Sequence, residues 1–315
     1  MIASMTPSEP QTPHFPNRAA VYFAATRPAF LSVTLAGALI GLGTAHADGF
    51  PIDLLKAALT VLFALVAHAG ANVVNDYYDA LSGTDAHNTE RLFPFTGGSQ
   101  FIQNGVLSVQ QTRAFGYALF AIVIPAGLWL SAHSAPGLIW IGVAGLLIAW
   151  CYSAPPLQMM SRGVGEIAIV GGWLMVVLGT DFVQRGAFSA FPVIAGMPFS
   201  LLVAAILYIN QFPDRAADAL AGKRTIVVRL GAHTARWGYV LIAGVAYLWL
   251  ACAALWGAVP TIVAVGLLPA ALSTFAAIRL VQHSSKPAQL GPAIKATIAA
   301  ANFHGLLVSA VLLVI

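Results

Sequence analysis

The chain has 315 residues, 59% of them hydrophobic and only 8% charged, with a formal net charge of +4. Soluble domains carry about 25% charged residues, so this composition excludes a soluble globular enzyme and implies an all-α, polytopic membrane protein. The pI near 9.2 reflects Lys and Arg gathered on one side of a membrane rather than nucleic-acid binding, because the chain holds no basic run or Arg-rich tract. Cys151 and Cys252 lie in apolar segments without C-x-x-C spacing and are read as packing residues.

Residues 1–26 are polar and Pro-containing and are expected to form a disordered cytoplasmic tail; 27–315 are expected to form a single transmembrane domain. A span needs about 20 apolar residues, and nine segments are taken as candidates, at approximately 28–47, 54–78, 113–132, 136–153, 164–182, 192–213, 236–256, 259–281 and 292–314. Ala45-His46-Ala47 has the form of a signal-peptidase site, but the lead-in is long and the preceding run long enough to span, so the first span is expected to be retained. Nine spans sort the charges unevenly: thirteen Lys and Arg fall on the side of the N-terminus and only Lys56 and Arg185 on the other. That asymmetry predicts a cytoplasmic N-terminus and two long cytoplasmic loops, near 80–112 and 214–235, in the inner (cytoplasmic) membrane.

Both long loops adjoin acidic clusters. In "NVVNDYYDALSGTD" (72–85), Asn72, Asp76 and Asp79 share one helical face with Asn75 beside them, Gly83 can stop the helix, and Asp85 can fold back. In "NQFPDRAADALAGKRT" (210–225), Asn210, Asp214 and Asp218 repeat at four-residue spacing, Pro213 is expected to kink the helix, and Lys223 and Arg224 follow. The order Asn, Asp, Asp recurs, so the halves read as a parallel repeat around a central cavity open to the cytoplasm. Carboxylates at a helix C-terminus add to its partial negative charge, an arrangement a divalent cation resolves. Two such clusters facing each other would clamp a diphosphate through Mg²⁺, with Lys223, Arg224, Arg91 or Arg162 neutralising the same phosphates.

The residues that carry this reading also carry a resemblance. "TRP" (26–28), "NVVNDYYD" with "GTD", "YSAPP", "RGVGE" and "NQFPDRAADALAGKRTIVVRLG" resemble the UbiA superfamily of intramembrane prenyltransferases over nearly the whole chain, most closely its 1,4-dihydroxy-2-naphthoate branch in menaquinone synthesis. The resemblance implies that Asp76, Asp79, Asp214 and Asp218 bind diphosphate-bound Mg²⁺ with Asp85 as a further metal ligand. It implies that Asn72, Asn75 and Asn210 support them, that Lys223 and Arg224 hold the diphosphate, and that Tyr152 and Arg162 stand in a loop beside the site. The substrates would be a polyprenyl diphosphate and an aromatic acceptor, with membrane lipid as surroundings and no nucleic acid or obligate protein partner. Where many relatives place an Asp four residues after the second aspartate this chain has Gly83, with Asp85 two further on, as in the naphthoate branch. The lysines often found just before Arg162 are missing.

An allylic cation would be met by aromatic faces, for which Tyr77, Tyr78, Tyr152, Tyr208 and Phe212 are candidates. His68 and His304 are read as packed, hydrogen-bonded residues, and Glu166 as a residue that either orients a basic loop residue or favours a helix N-terminus. Two other classes fit less well. A cation-coupled transporter would place its acids near the midplane on broken helices. A CDP-alcohol phosphotransferase would carry "DGxxAR", which is not found. 4-Hydroxybenzoate remains an alternative acceptor within the superfamily.

Overall fold

A computed structural model describes residues 9–315, and every regular element among them is helical. In chain order the α-helices are α1 (Arg18–Ala25), α2 (Leu31–Ala47), α3 (Leu54–Ser82), α4 (Thr84–His87), α5 (Val109–His133), α6 (Leu138–Ser153), α7 (Gly165–Arg185), α8 (Phe191–Leu220), α9 (Ile226–Leu230), α10 (Ala232–Leu255), α11 (Ala270–His283) and α12 (Gly291–Leu312). Residues 1–8 of the polar tail lie outside the described residues. The rest of that segment carries α1, whose first turn is capped by Asn17 accepting from the Ala20 amide at 2.9 Å. Val21 and Ala25 pack on Phe101 and Leu107, and Glu9 pairs with Arg91 at 2.6 Å, so this arm lies over the loop that follows α4.

Among the described residues, eight helices are long and apolar enough to cross a membrane. The ninth expected span corresponds to α6, which at 16 residues reaches only about 24 Å against a hydrocarbon thickness of about 30 Å. The helix ends follow local chemistry. Asp53 caps α3 by accepting from the Lys56 amide at 3.1 Å, and Gly83 closes it with φ of 77°, a left-handed conformation that glycine adopts without strain. Ser108 and Gln111 form a reciprocal capping box at the start of α5. Pro213 lies inside α8, which continues seven residues beyond it, to Leu220. A proline inside a membrane helix removes one ladder hydrogen bond, and packing around the helix keeps it continuous; α8 is the most enclosed of the long helices, with 72% of its apolar window buried.

The core gathers α2, α7, α8, α10, α11 and α12. Small residues set the close crossings, as lipid-embedded packing favours. A methyl on Gly305 of α12 would stand 2.8 Å from the Ala36 Cβ of α2, and one on Gly41 of α2 would stand 2.9 Å from the Thr180 Cβ of α7. At the end of α7, Asp181 is fully buried and fully bonded, accepting from Thr44 Oγ1 (2.9 Å) and from Arg185 Nε (2.7 Å) and Nη2 (2.9 Å). Arg185 also reaches Asp48 at 2.7 Å. His304 is packed as expected, its Nδ1 2.8 Å from the Gly266 carbonyl.

Candidate active site

One cavity of about 690 Å³ opens among α2, α3, α5, α6, α7 and α8. Its polar end is built from the two acidic clusters, and its walls are otherwise apolar. On α3 the cavity is lined by Ala64, Ala67, His68, Ala71, Asn72, Asn75 and Asp79, one face of the helix running from apolar to acidic. Asn72 donates to the Thr26 carbonyl at 3.0 Å, which ties α3 to the end of α1. Asn75 donates to Asp79 Oδ2 at 3.2 Å and to Ser153 Oγ at 3.3 Å. Asp76 is buried just behind the lining, where its Oδ1 accepts the Ser99 amide at 3.2 Å.

The left-handed Gly83 turns the chain so that Asp85, on α4, folds back and lines the cavity while only 3% exposed. Gly98 lies against it with φ of 70°, and any side chain there would run into the Asp85 carboxylate. From the second cluster, α8 contributes Asn210, Asp214 and Asp218 to the same cavity. Asn88 joins the clusters by donating to Asp214 Oδ1 at 2.6 Å. Lys223 joins them a second time: its ammonium lies 2.6 Å from Asp79 and 3.5 Å from Asp218. Burial works against that charge more than any other single influence, yet Asp79, Asp218 and Asp85 outweigh it and hold the Lys223 pKa above its ordinary value. Burial pushes the Asp85 carboxyl up to about 9, and the neighbouring Asp79 and Asp76 push the same way against Lys223.

The structure thus brings Asn72, Asn75, Asp79, Asp85, Asn210, Asp214, Asp218, Lys223 and Tyr152 into one lining, with Asp76 directly behind. Arg162 and Arg224 stay outside it. Arg162 donates to the Pro156 carbonyl at 2.6 Å on the exposed surface, and exposed Arg224 is pinned through its backbone amide to the Ser161 carbonyl at 2.7 Å. Of the aromatic candidates only Tyr152 lines the cavity. Tyr78 bonds Tyr117 of α5 at 2.9 Å, and Tyr208 is buried against the Ala235 carbonyl at 2.6 Å. The rings that do face the cavity are Phe30, Phe63, Phe95, Tyr152 and Trp173.

Sequence reasoning missed Arg27 and Asn88 as cavity residues. Arg27 takes a left-handed conformation (φ of 58°) between α1 and Pro28 and presents a second cation to the lining, its guanidinium 4.7 Å from the Phe30 ring centroid. Its signal was an Arg directly before Pro28 at the mouth of the first span. Asn88 stood three residues past Asp85, with nothing in the sequence to place it against Asp214.

The donor set suits a hard divalent cation. Asp85 Oδ2, Asn88 Oδ1 and Asn210 Oδ1 are buried oxygens without a hydrogen-bond partner, beside carboxylates of both clusters. Among the described residues no three His, Cys, Asp or Glu side chains form a ready-made metal cluster. Mg²⁺ sites are commonly of that kind, with few carboxylates and substrate phosphates completing the coordination.

An apolar chamber within a helical membrane bundle, ending in opposed carboxylates bridged by a buried lysine, defines an integral membrane enzyme that handles a substrate with a charged head and an apolar body. Residues 30–295 match the UbiA prenyltransferase family, and the chain belongs to it and is a prenyltransferase. A 1,4-dihydroxy-2-naphthoate octaprenyltransferase of Mycobacterium tuberculosis is 33% identical over 235 residues, 72% of this chain and 76% of that protein. Its namesake in Bacillus subtilis is 26% identical over 292 residues, 92% of this chain and 91% of that one. The fold is shared with a UbiA homologue from Archaeoglobus fulgidus solved with GPP and Mg²⁺, with a TM-score of 0.61 at 16% identity, covering 93% of this chain and 99% of that one.

Proposed function

We propose that this prenyltransferase transfers a polyprenyl group from its diphosphate to 1,4-dihydroxy-2-naphthoate, in an Mg²⁺-dependent reaction of menaquinone biosynthesis. The observation that carries the reading is that one cavity of about 690 Å³ joins the carboxylates of both clusters to an apolar chamber. The choice of acceptor rests on the names of the relatives at 26–33% identity. 4-Hydroxybenzoate is the second acceptor to be tried.

In this reading Asp76, Asp79, Asp85, Asp214 and Asp218 would hold the metal together with Asn210 and Asn88, and the metal would supply positive charge beside the diphosphate. Lys223 gives up its bridge between Asp79 and Asp218 to donate to the same diphosphate, and Asn72 and Asn75 keep the α3 face in register. The C1–O bond of the donor breaks and its electron pair leaves with the diphosphate. Preorganised charge at the polar end stabilises that departure. Phe30 and Tyr152 offer their faces to the allylic cation that remains. A ring carbon of the acceptor forms the new C–C bond, and carbon dioxide leaves from the naphthoate or a proton from another acceptor. The chain would span the inner membrane nine times as two parallel half-repeats, with α6 as the short span and the polar end at the cytoplasmic face, as the thirteen-to-two distribution of Lys and Arg indicates.

The test is direct. Membranes containing the protein are given labelled polyprenyl diphosphate, Mg²⁺ and a panel of hydroxylated aromatic acids. The expected result is a prenylated, decarboxylated naphthoquinol precursor, lost on chelation of the metal. A folded preparation that prenylates no acceptor overturns the reading.

A further inference from the structure

One part of the cavity wall is unlike the rest. It holds Phe30, Val33 and Thr34 near and on α2, His68 on α3 and Trp173 on α7, all lining the one cavity. His68 Nδ1 and Thr34 Oγ1 are 2.7 Å apart, and the imidazole stands edge-on to the Trp173 indole, with centroids 5.1 Å apart and planes at 85°. Among the described residues Nε2 of His68 takes no hydrogen bond from the protein, and the Trp173 Nε1 is a buried donor with no partner. A polar pair set into an apolar wall is unfavourable unless it has something to bind. His304 differs in place: it is enclosed in the core, its Nδ1 against a backbone carbonyl and its Nε2 buried without a partner, and it does not line the cavity.

Depth agrees with this. His68 precedes Asp76 by eight residues and Asp79 by eleven, which places it about 12 and about 16 Å below them along α3. That leaves room for an aromatic ring between the diphosphate end and the imidazole. Thr34 fixes one ring nitrogen, and the other faces the chamber. A ring hydroxyl can both donate and accept, so it pairs with either tautomer of His68, whereas an ether or a bare arene cannot donate.

Resting on the proposed prenyl transfer to a hydroxylated aromatic, we infer that Thr34, His68 and Trp173 form the subsite that seats the acceptor ring, with His68 Nε2 hydrogen-bonded to its hydroxyl. Trp173 supplies the apolar face of this seat and Thr34 orients the imidazole. The isoprenoid then lies against the opposite wall, where Gly127 and Gly142 leave open space.

The experiment uses the full-length protein in detergent. Binding of a dihydroxynaphthoate and of its O-methyl ether is followed by tryptophan fluorescence, and steady-state kinetics are measured with each substrate varied. Wild type is expected to prefer the free hydroxyl at least tenfold. His68→Ala is expected to lose that preference and raise the acceptor KM about tenfold while the prenyl diphosphate KM stays within twofold. His68→Gln, which keeps a hydrogen-bonding group, is expected to recover part of the preference, and Thr34→Val to lose part of it. If His68→Ala keeps the preference, or shifts both KM values alike, the subsite is wrong, even though prenyl transfer itself stands. If wild type prenylates no hydroxyarene, the functional reading falls and takes the subsite with it.

Discussion

Two buried acidic clusters sit at the two ends of the bundle, and they are built differently. Around Asp181 every carboxylate oxygen has a partner: Thr44 and Arg185 satisfy both, and Arg185 carries the excess charge to Asp48. Around Asp79 and Asp214 the acids outnumber the bases. Three buried oxygens have no partner, and a single lysine spans the gap between the helices. The first cluster is closed and holds α7 to α2. The second is left incomplete, which is the condition a polyanionic ligand with its cation would resolve. Burial alone therefore does not mark a functional carboxylate; an unfilled hydrogen-bonding capacity does.

The contrast is sharpest under mutation. Asp214→Asn is expected to lower prenyl transfer about 10²–10³-fold, the scale of losing one preorganised group that stabilises developing charge, while the thermal midpoint holds or rises as crowded negative charge is relieved. Asp181→Ala is expected to do the reverse. Breaking a buried pair costs about 3 kcal/mol or more, so a thermal-shift assay should record the loss while turnover of the surviving folded fraction is near normal. Equal effects of the two substitutions on both measurements would erase the distinction. Lys223→Met, which removes the bridge between Asp79 and Asp218, is expected to raise the prenyl diphosphate KM about tenfold, the scale of one lost charge-assisted contact, and to make stability respond more strongly to added Mg²⁺. The smallest effect is expected on the apolar side. Gly142→Leu puts a side chain into space where a Cβ meets nothing within 4 Å, so it should reduce use of long prenyl diphosphates a few-fold and leave a short donor unaffected. Competition between labelled donors of two lengths reads this out.

Much of this was legible in the sequence because it is local. Helical spacing brought Asn72 and Asp79 to one face, though the structure sets Asn75 in that lining and Asp76 behind it, Gly83 announced the helix stop, and the long apolar runs announced the spans. The family assignment followed from those motifs. What escaped depends on distant contacts. Nothing in "DAHN" says that Asn88 reaches Asp214, and nothing in "GKRT" says that Lys223 turns inward while Arg224 turns out. Arg162 was expected beside the site because its loop is, yet its guanidinium bonds its own loop at Pro156. Pro213 read as a kink by its intrinsic geometry, and α8 runs on through it as one helix. His68 is packed and hydrogen-bonded as read, on Trp173 and Thr34; that its helix face turns to the cavity escaped, because periodicity cannot distinguish a face turned to a cavity from one turned to a neighbour.

The length of α3 has a consequence of its own. Its 29 residues reach about 43 Å, some 13 Å more than the hydrocarbon of a typical bilayer. The surplus is about nine residues, nearly the stretch from Asn75 to Ser82. On the proposed orientation, with Leu54 at the opposite boundary, the carboxylates would stand at headgroup depth and His68 at the depth of the acyl chains. Turnover is then sensitive to hydrophobic mismatch: in a thicker bilayer the acids sink toward the hydrocarbon and their aqueous diphosphate becomes harder to admit, whereas in a thinner one the seat of the isoprenoid is exposed. Vesicles of graded acyl length would therefore tune this enzyme without touching a residue.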